Sequence, residues 1–306
     1  NLIGALGPET AFDALWYHLT PAKLYAQNHR IFYLPGWLLW PANLPRLTEM
    51  FYAVALLFSN EILAKLIHFF FGILATLALF NLLKRYLSLR FSLLGVLIFY
   101  TMLIVGWQST TAYVDLTRTF FEILALDYFL QWAETKKENF LWESAILTGL
   151  AMATKILAFG TLLTFLVLIF FLATKDRLRQ CCLFAGLSFL IVSPWLFLLN
   201  TKMSLWSGVG FTWMLQSFGK LPTLLWRATL LPDDIISPVY LIFLPLVLIL
   251  IWREKKVMKI AALYFLLAMF FSPTHSNRYL LPYLPSATLV VLGILNNQQI
   301  LFASRY

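Results

Sequence analysis

Charge is scarce in this chain. Only 12% of its 306 residues are Asp, Glu, Lys or Arg, against 61% hydrophobic, whereas an ordinary soluble domain carries about a quarter charged residues. With a mean hydropathy of +0.79, the chain cannot cover its surface with polar groups, so lipid must cover part of it. Cysteine is scarcer still. The pair Cys181 and Cys182 excludes a disulfide framework and reads as two structural thiols. The alternating ten-residue pattern of an outer-membrane barrel is absent. So are a P-loop, a dinucleotide fingerprint and zinc-ligand spacing, and no internal repeat is visible. No secretory signal opens the chain. It begins at Asn1 in what reads as an outer loop, and a transmembrane helix ahead of that residue is expected.

What the chain does hold is continuous apolar runs of about 15 to 23 residues, the helix length for a bilayer core. Spans are expected over 61–83, 89–107, 111–132, 140–154, 156–173, 181–199, 236–252, 257–272 and 280–296. A shorter piece, 47–58, reads as re-entrant or tilted. The predicted fold is an all-α integral membrane protein: one polytopic helical bundle of about nine or ten spans, forming a single domain over 1–306.

The net charge of +9 does not indicate nucleic acid, because the basic residues fall in small clusters between apolar runs. Those clusters are Lys84, Arg85 and Arg90; Lys136 and Lys137; Lys175, Arg177 and Arg179; and Arg253, Lys255, Lys256 and Lys259. The opposite connections hold almost none. The positive-inside bias therefore puts the clusters in the cytoplasm and the long stretches 1–46 and 200–235 outside. The first outer loop, 1–46, should carry interfacial helices. Two short helices are expected around 12–28, with Thr20 as N-cap and Pro21 at the first helical position. Trp16, Tyr17, Trp37 and Trp40 suit the headgroup layer.

A few polar residues need a reason. Asp13, in Glu9-Thr-Ala-Phe-Asp13-Ala-Leu-Trp-Tyr17-His18, is either an ordinary loop or helix-start acid or a general base. Asp115, Arg118 and Glu122 are spaced by three and four and share a helix face. They form an internal ion pair between helices or line a water-filled cavity. With a helix start near Thr111, Asp115 would lie about 6 Å below the outer boundary. Lys155 either snorkels or pairs with a buried acid or a phosphate. Arg278, the only basic residue of its short outer loop, is a headgroup anchor or an anion ligand. His275 is a lone loop histidine, more plausibly inert than a metal ligand. His68, near Lys65, reads as a helix–helix contact, and Asp233 and Asp234 as a helix-start pair. Secondary candidates are Glu9, Tyr17, His18, Glu49, Arg118 and Tyr279.

The order of these motifs resembles a known family. Asp13 comes first, then Pro45-Arg-Leu-Thr-Glu49, Tyr113-Val-Asp115, Gly149-Leu-Ala-Met-Ala-Thr-Lys155 and Asn277-Arg278-Tyr279-Leu-Leu-Pro282-Tyr-Leu-Pro285. It is similar to polytopic glycosyltransferases of the C-type fold, in the protein mannosyltransferase branch that includes aminoarabinose transferases. Members carry an Asp-Glu pair in the first outer loop, whereas Ala14 follows Asp13 here. The resemblance implies a polyprenyl-phosphate sugar donor, a lipid, glycan or protein acceptor, transfer at the outer face of a bacterial or archaeal plasma membrane, and inversion at the anomeric carbon. Topology agrees in one respect: a sugar donor available outside must be carried across on a lipid. Lys155 and Arg278 would stabilise the leaving phosphate. Asp13, or failing it Asp115, would take the acceptor proton. A divalent metal could share the cationic work. The competing expectations are a transporter or lipid flippase, which should show repeats and broken midplane helices, and a non-catalytic scaffold.

Overall fold

Continuous apolar runs leave a chain little choice but to satisfy its backbone internally, and in lipid only helices or closed barrels do so. The computed structural model describes residues 1–36, 41–198, 240, 242, 247, 249–271 and 277–303, and among them no strand occurs. The expected spans around 181–199 and 236–252 and the loop 200–235 lie wholly or partly outside the described residues. So do Trp37, Trp40, Asp233, Asp234 and His275.

The N-terminal stretch carries α1 (Leu2–Ala5), a π-helix (Ala14–Leu19) and α2 (Thr20–Asn28). The bundle follows as α3 (Leu47–Phe58), α4 (Glu61–Tyr86), α5 (Leu89–Tyr100), α6 (Leu103–Gln108), α7 (Asp115–Thr135), α8 (Glu138–Thr154), α9 (Phe159–Leu172) and α10 (Arg177–Leu198). It closes with α11 (Lys256–Phe271) and α12 (Leu284–Ala303). By length and composition, α4 and α10 can each cross a bilayer. α7 packs between α4 and α8, α8 against α10, α9 against α10 and α11, and α12 against α11 and α5. Small residues let α8 and α10 touch. A Cβ on Gly149 would meet the Ser188 carbonyl oxygen at 2.8 Å, so only glycine fits, as in close-packed membrane helices. Ser188 Oγ donates to the Ala145 carbonyl across the same contact at 2.8 Å.

Three expectations need correction. The span 89–107 is broken after Tyr100: Met102 adopts φ −59°, ψ 135° and α6 begins at Leu103. The helix expected from Thr111 begins at Asp115, so Asp115 opens the helix instead of lying a turn inside it. Thr20 is not an N-cap. The chain enters α2 directly from the π-helix, Leu19 is already in the αR region, and Thr20 Oγ1 donates back to the Leu15 carbonyl.

The basic connections gather at one end of the bundle. Arg85 of α4 pairs with Asp127 in the lower half of α7 at 3.0 Å. Lys136 donates to the Leu172 carbonyl at 2.9 Å, and Ser88 N–H to Asn296 Oδ1 at 3.3 Å. α7 is 21 residues, about 30 Å long. Its first residue therefore lies a full bundle length from that end, and the N-terminal stretch covers it there. Lys65 Nζ ties the loop down by donating to the carbonyls of Gly4, Gly7 and Pro8 at 3.1, 2.9 and 3.0 Å.

Candidate active site

The entry to α7 is a non-helical stretch whose backbone groups have no ladder to join, so side chains hold them. Glu9 Oε2 accepts the Ala112 N–H at 2.5 Å. Tyr52 OH donates to the Tyr113 carbonyl. His68 Nδ1–H donates to the Thr111 carbonyl at 2.8 Å, and its Nε2 accepts the Leu116 N–H at 3.1 Å. Those two partners define a neutral imidazole protonated on Nδ1. His68 is thus a structural clasp, as its position inside a span suggested. The clasp delivers Asp115 to the first turn of α7, where the helix dipole favours a carboxylate.

Asp115 meets Lys155. The Lys155 backbone leaves the helical region (φ −152°, ψ 120°) between α8 and a 3₁₀ turn over Ile156–Ala158. Its side chain crosses to α7, with Nζ 2.6 Å from Asp115 Oδ1 and 4.8 Å from the centroid of the Tyr279 ring. Arg278 stands beside the same ring, its guanidinium carbon 5.2 Å from the Tyr279 centroid and 5.0 Å from the Tyr113 centroid. Arg278 Nη2 donates to Asp13 Oδ2 at 2.7 Å, and Tyr17 OH donates to the same oxygen at 2.8 Å. Asp13, Asp115, Lys155 and Arg278 therefore lie together, two ion pairs joined through Tyr279. Among the described residues, Asp115 Oδ2 and Arg278 Nε are buried without a hydrogen-bond partner.

The electrostatics follow from these contacts. Burial pushes the Asp13 carboxyl up, but the Arg278 hydrogen bond and charge and the Tyr17 hydrogen bond outweigh it and hold it below the usual carboxylate range. Burial raises the Tyr17 hydroxyl far above its ordinary value, so it stays a donor. Burial also opposes the Arg278 charge, but Asp115, Tyr279 and Tyr17 more than offset it. His18 is kept from protonating by burial, against the pull of Glu49.

The secondary candidates divide. Tyr17 and Tyr279 belong to the cluster. Glu9 does not join it, because its other oxygen, Oε1, accepts the N–H groups of Thr10 and Ala11 at 2.9 Å each, and it serves as a backbone cap. His18 and Glu49 form a buried pair, Nδ1 to Oε1 at 2.7 Å, behind the Tyr113 ring. Arg118 is turned away from the cluster: Nε bonds Glu122 Oε1 at 2.5 Å, Nη2 bonds Tyr283 OH at 2.6 Å, and Thr161 Oγ1 bonds Glu122 Oε2 at 2.7 Å. The acidic stripe on α7 is thus split between two partners. Sequence reasoning missed Arg46, which is buried and donates to Ala42, Tyr17 and Pro41 carbonyls. Its position in the quoted motif Pro45-Arg-Leu-Thr-Glu49 was the available signal. Among the described residues no three His, Cys, Asp or Glu side chains converge as metal ligands. The pair His18 and Glu49 is closed by Arg46 at 3.0 Å from the same carboxylate oxygen, which does not fit a cation.

A family model described as dolichyl-phosphate-mannose-protein mannosyltransferase matches residues 45–198, half of the chain. That stretch contains Glu49, Asp115 and Lys155 but neither Asp13 nor Arg278. No curated protein matches the sequence. The fold is similar to two solved structures of ArnT from Cupriavidus metallidurans. One, bound to undecaprenyl phosphate, gives a TM-score of 0.70 at 13% identity; the other, in the apo state, gives 0.69 at 14%. Each alignment covers 96% of this chain and 57% of the other, so the chain spans little more than half the length of the structures it matches.

Proposed function

The chain belongs to the dolichyl-phosphate-mannose-protein mannosyltransferase family, and on that premise we propose that it is a membrane glycosyltransferase using a polyprenyl-phosphate sugar. Transfer occurs at the outer face and inverts the anomeric carbon. The observation that carries this reading is the pair of cations, Lys155 and Arg278, brought to one aromatic ring with a carboxylate on each. A phosphate leaving an anomeric carbon needs fixed positive charge in a water-poor setting. Arg278 keeps Nε free for a phosphate oxygen, and Lys155 has further N–H groups beyond the one given to Asp115.

Exposure favours Asp13 as the base. The Asp13 side chain is 20% exposed and that of Asp115 only 1%, and a general base must reach the proton it takes. Asp13 receives the acceptor hydroxyl proton as the oxygen attacks the anomeric carbon from the face opposite the phosphate, and the C–O bond to phosphate breaks with its electron pair on the phosphate. Before donor binds, Arg278 holds Asp13 ionised and weakly basic. A donor phosphate draws on the same guanidinium, which loosens its grip on Asp13 and makes the carboxylate a better base as the leaving group is secured. Asp115 orients Lys155.

The test is to incubate the purified protein with a panel of polyprenyl-phosphate sugars, with and without divalent cation, and to follow donor consumption and product configuration. Consumption of one donor with inversion supports the reading, and a need for divalent cation would add a metal to it. A protein that consumes none but moves lipid-linked sugar between leaflets of a vesicle would be a flippase.

A further inference from the structure

The Tyr17 carbonyl presents a local problem. In an α-helix it would accept the N–H of the residue four positions on. That residue is Pro21, which has no N–H. The chain runs instead as a π-helix over Ala14–Leu19, and Arg46 Nη1 donates to the Tyr17 carbonyl from another segment. Arg46 is itself fixed through Nε to the Ala42 carbonyl and Nη2 to the Pro41 carbonyl, and through Nη1 to Glu49 Oε1 at 3.0 Å. The same Glu49 oxygen takes the His18 ring nitrogen at 2.7 Å. Backbone and side chain at 17 and 18 are thus clamped by residues about thirty positions later. From this clamped backbone the Tyr17 hydroxyl reaches Asp13 Oδ2.

We propose that Pro21, Arg46 and Glu49 are positioning residues: they set the direction of the Tyr17 hydroxyl and, through it, the orientation of the Asp13 carboxylate toward the acceptor. The inference rests on Asp13 as the base. Arg46 is 2% exposed and its hydrogen bonds end on the Ala42, Tyr17 and Pro41 carbonyls and Glu49, so it does not serve as a phosphate ligand. A π-turn holds one residue more than an α-turn, so closing it would re-register the following side chains by about 100°. Such turns inside helices are frequent at functional sites. A proline that forbids the ordinary ladder and a buried arginine that supplies the missing donor are two independent ways of holding the same unusual turn.

The experiment measures donor turnover against pH, donor KM and thermal melting for the full-length protein carrying Pro21→Ala, Tyr17→Phe, Arg46→Lys or Asp13→Asn. Pro21→Ala restores an N–H and lets the α-ladder close. It should melt within a few degrees of the parent, since such a change acts mainly on the freedom of the unfolded chain. Its kcat should nevertheless fall about tenfold with donor KM unchanged, the cost of one misdirected hydrogen bond to a charged group. The acid limb of its pH profile should move up, as in Tyr17→Phe, because Asp13 loses a bond that favours its ionised form. Arg46→Lys keeps the charge but not the fork and should shift the profile the same way; should it fail to fold, Pro21→Ala and Tyr17→Phe decide. Pro21→Ala with parental kcat and acid limb overturns the positioning role even when Asp13→Asn is dead. An active Asp13→Asn removes the base assignment itself, and this inference with it.

Discussion

Two clusters on the same helix use the same residue types and end in different states. Near the start of α7, Asp115 and Lys155 meet Asp13 and Arg278 around Tyr279. One turn further in, Arg118 and Glu122 meet Thr161 and Tyr283. The inner cluster is wholly buried, and both Glu122 oxygens are used. Unmet hydrogen-bonding atoms occur in both, on Arg118 in the inner cluster and on Arg278 and Asp115 in the outer one, but only the outer cluster keeps Asp13 and Lys155 partly exposed. An ion pair closed on itself holds helices together. One that reaches the surface can exchange partners with a ligand. Composition does not separate the two; exposure does.

That contrast breaks most sharply at Asp13. Asp13→Asn is nearly isosteric, so the fold should survive, while turnover drops by about 10²- to 10⁴-fold, the typical worth of a general base. Donor consumption and melting curves read the two effects separately. If Asp115→Asn is dead and Asp13→Asn is not, the base is Asp115. The inner cluster should respond in the opposite sense. Arg118→Met leaves Glu122 as a lone buried acid and should cost about 3–5 kcal/mol of stability, seen as a lower melting temperature and poor yield. Any protein recovered should retain the parental donor KM; a donor KM raised tenfold would merge the two clusters into one site.

Lys155→Ala sits between these extremes. It removes one charge-assisted hydrogen bond to phosphate, worth about 1.5–3 kcal/mol. Donor affinity and kcat should therefore both fall, by about tenfold to a hundredfold, because the phosphate is charged in the ground state and more so on leaving. A fall in kcat alone would place Lys155 away from the bound phosphate.

The smallest effect is on pH. Asp13 is depressed in the folded protein. Its contribution to stability is therefore present above the unfolded value of about 3.9 and is lost as pH falls through the lower folded value. Through this group, kcat/KM should stay flat from about pH 7 down to 5. Arg278→Gln should move the acid limb upward, since the charge that holds Asp13 ionised is gone. An acid limb unmoved by that substitution would show that Arg278 does not control Asp13.

Much of this was legible in the chain. Asp13, Asp115, Lys155 and Arg278 stood out because a charge beside long apolar runs demands an explanation. Arg46 escaped notice because a lone arginine near the interface reads as an anchor, and only burial reveals it as a clamp. The helix start at Asp115 was placed four residues too early because Thr111–Val114 is apolar enough to extend the run; His68, Tyr52 and Glu9 compete for its backbone and win. Pro21 was read as a helix-start proline, its commonest use, and it does stand in the first turn of α2, but the Tyr17 carbonyl it cannot serve is the more telling fact.

By itself the sequence determined that this is a helical membrane protein, with its basic connections at one end and its unexplained acids and cations toward the other. Those conclusions follow from hydrophobic run length and charge alternation, which act locally along the chain. Pairing was decided only by tertiary structure. Arg278 reaches Asp13 across 265 positions, Lys155 reaches Asp115 across 40, and Arg118 turns inward to Glu122. Burial of a charge requires a partner, but the sequence does not say which one. That choice depends on where helix packing brings side chains within about 3 Å of one another.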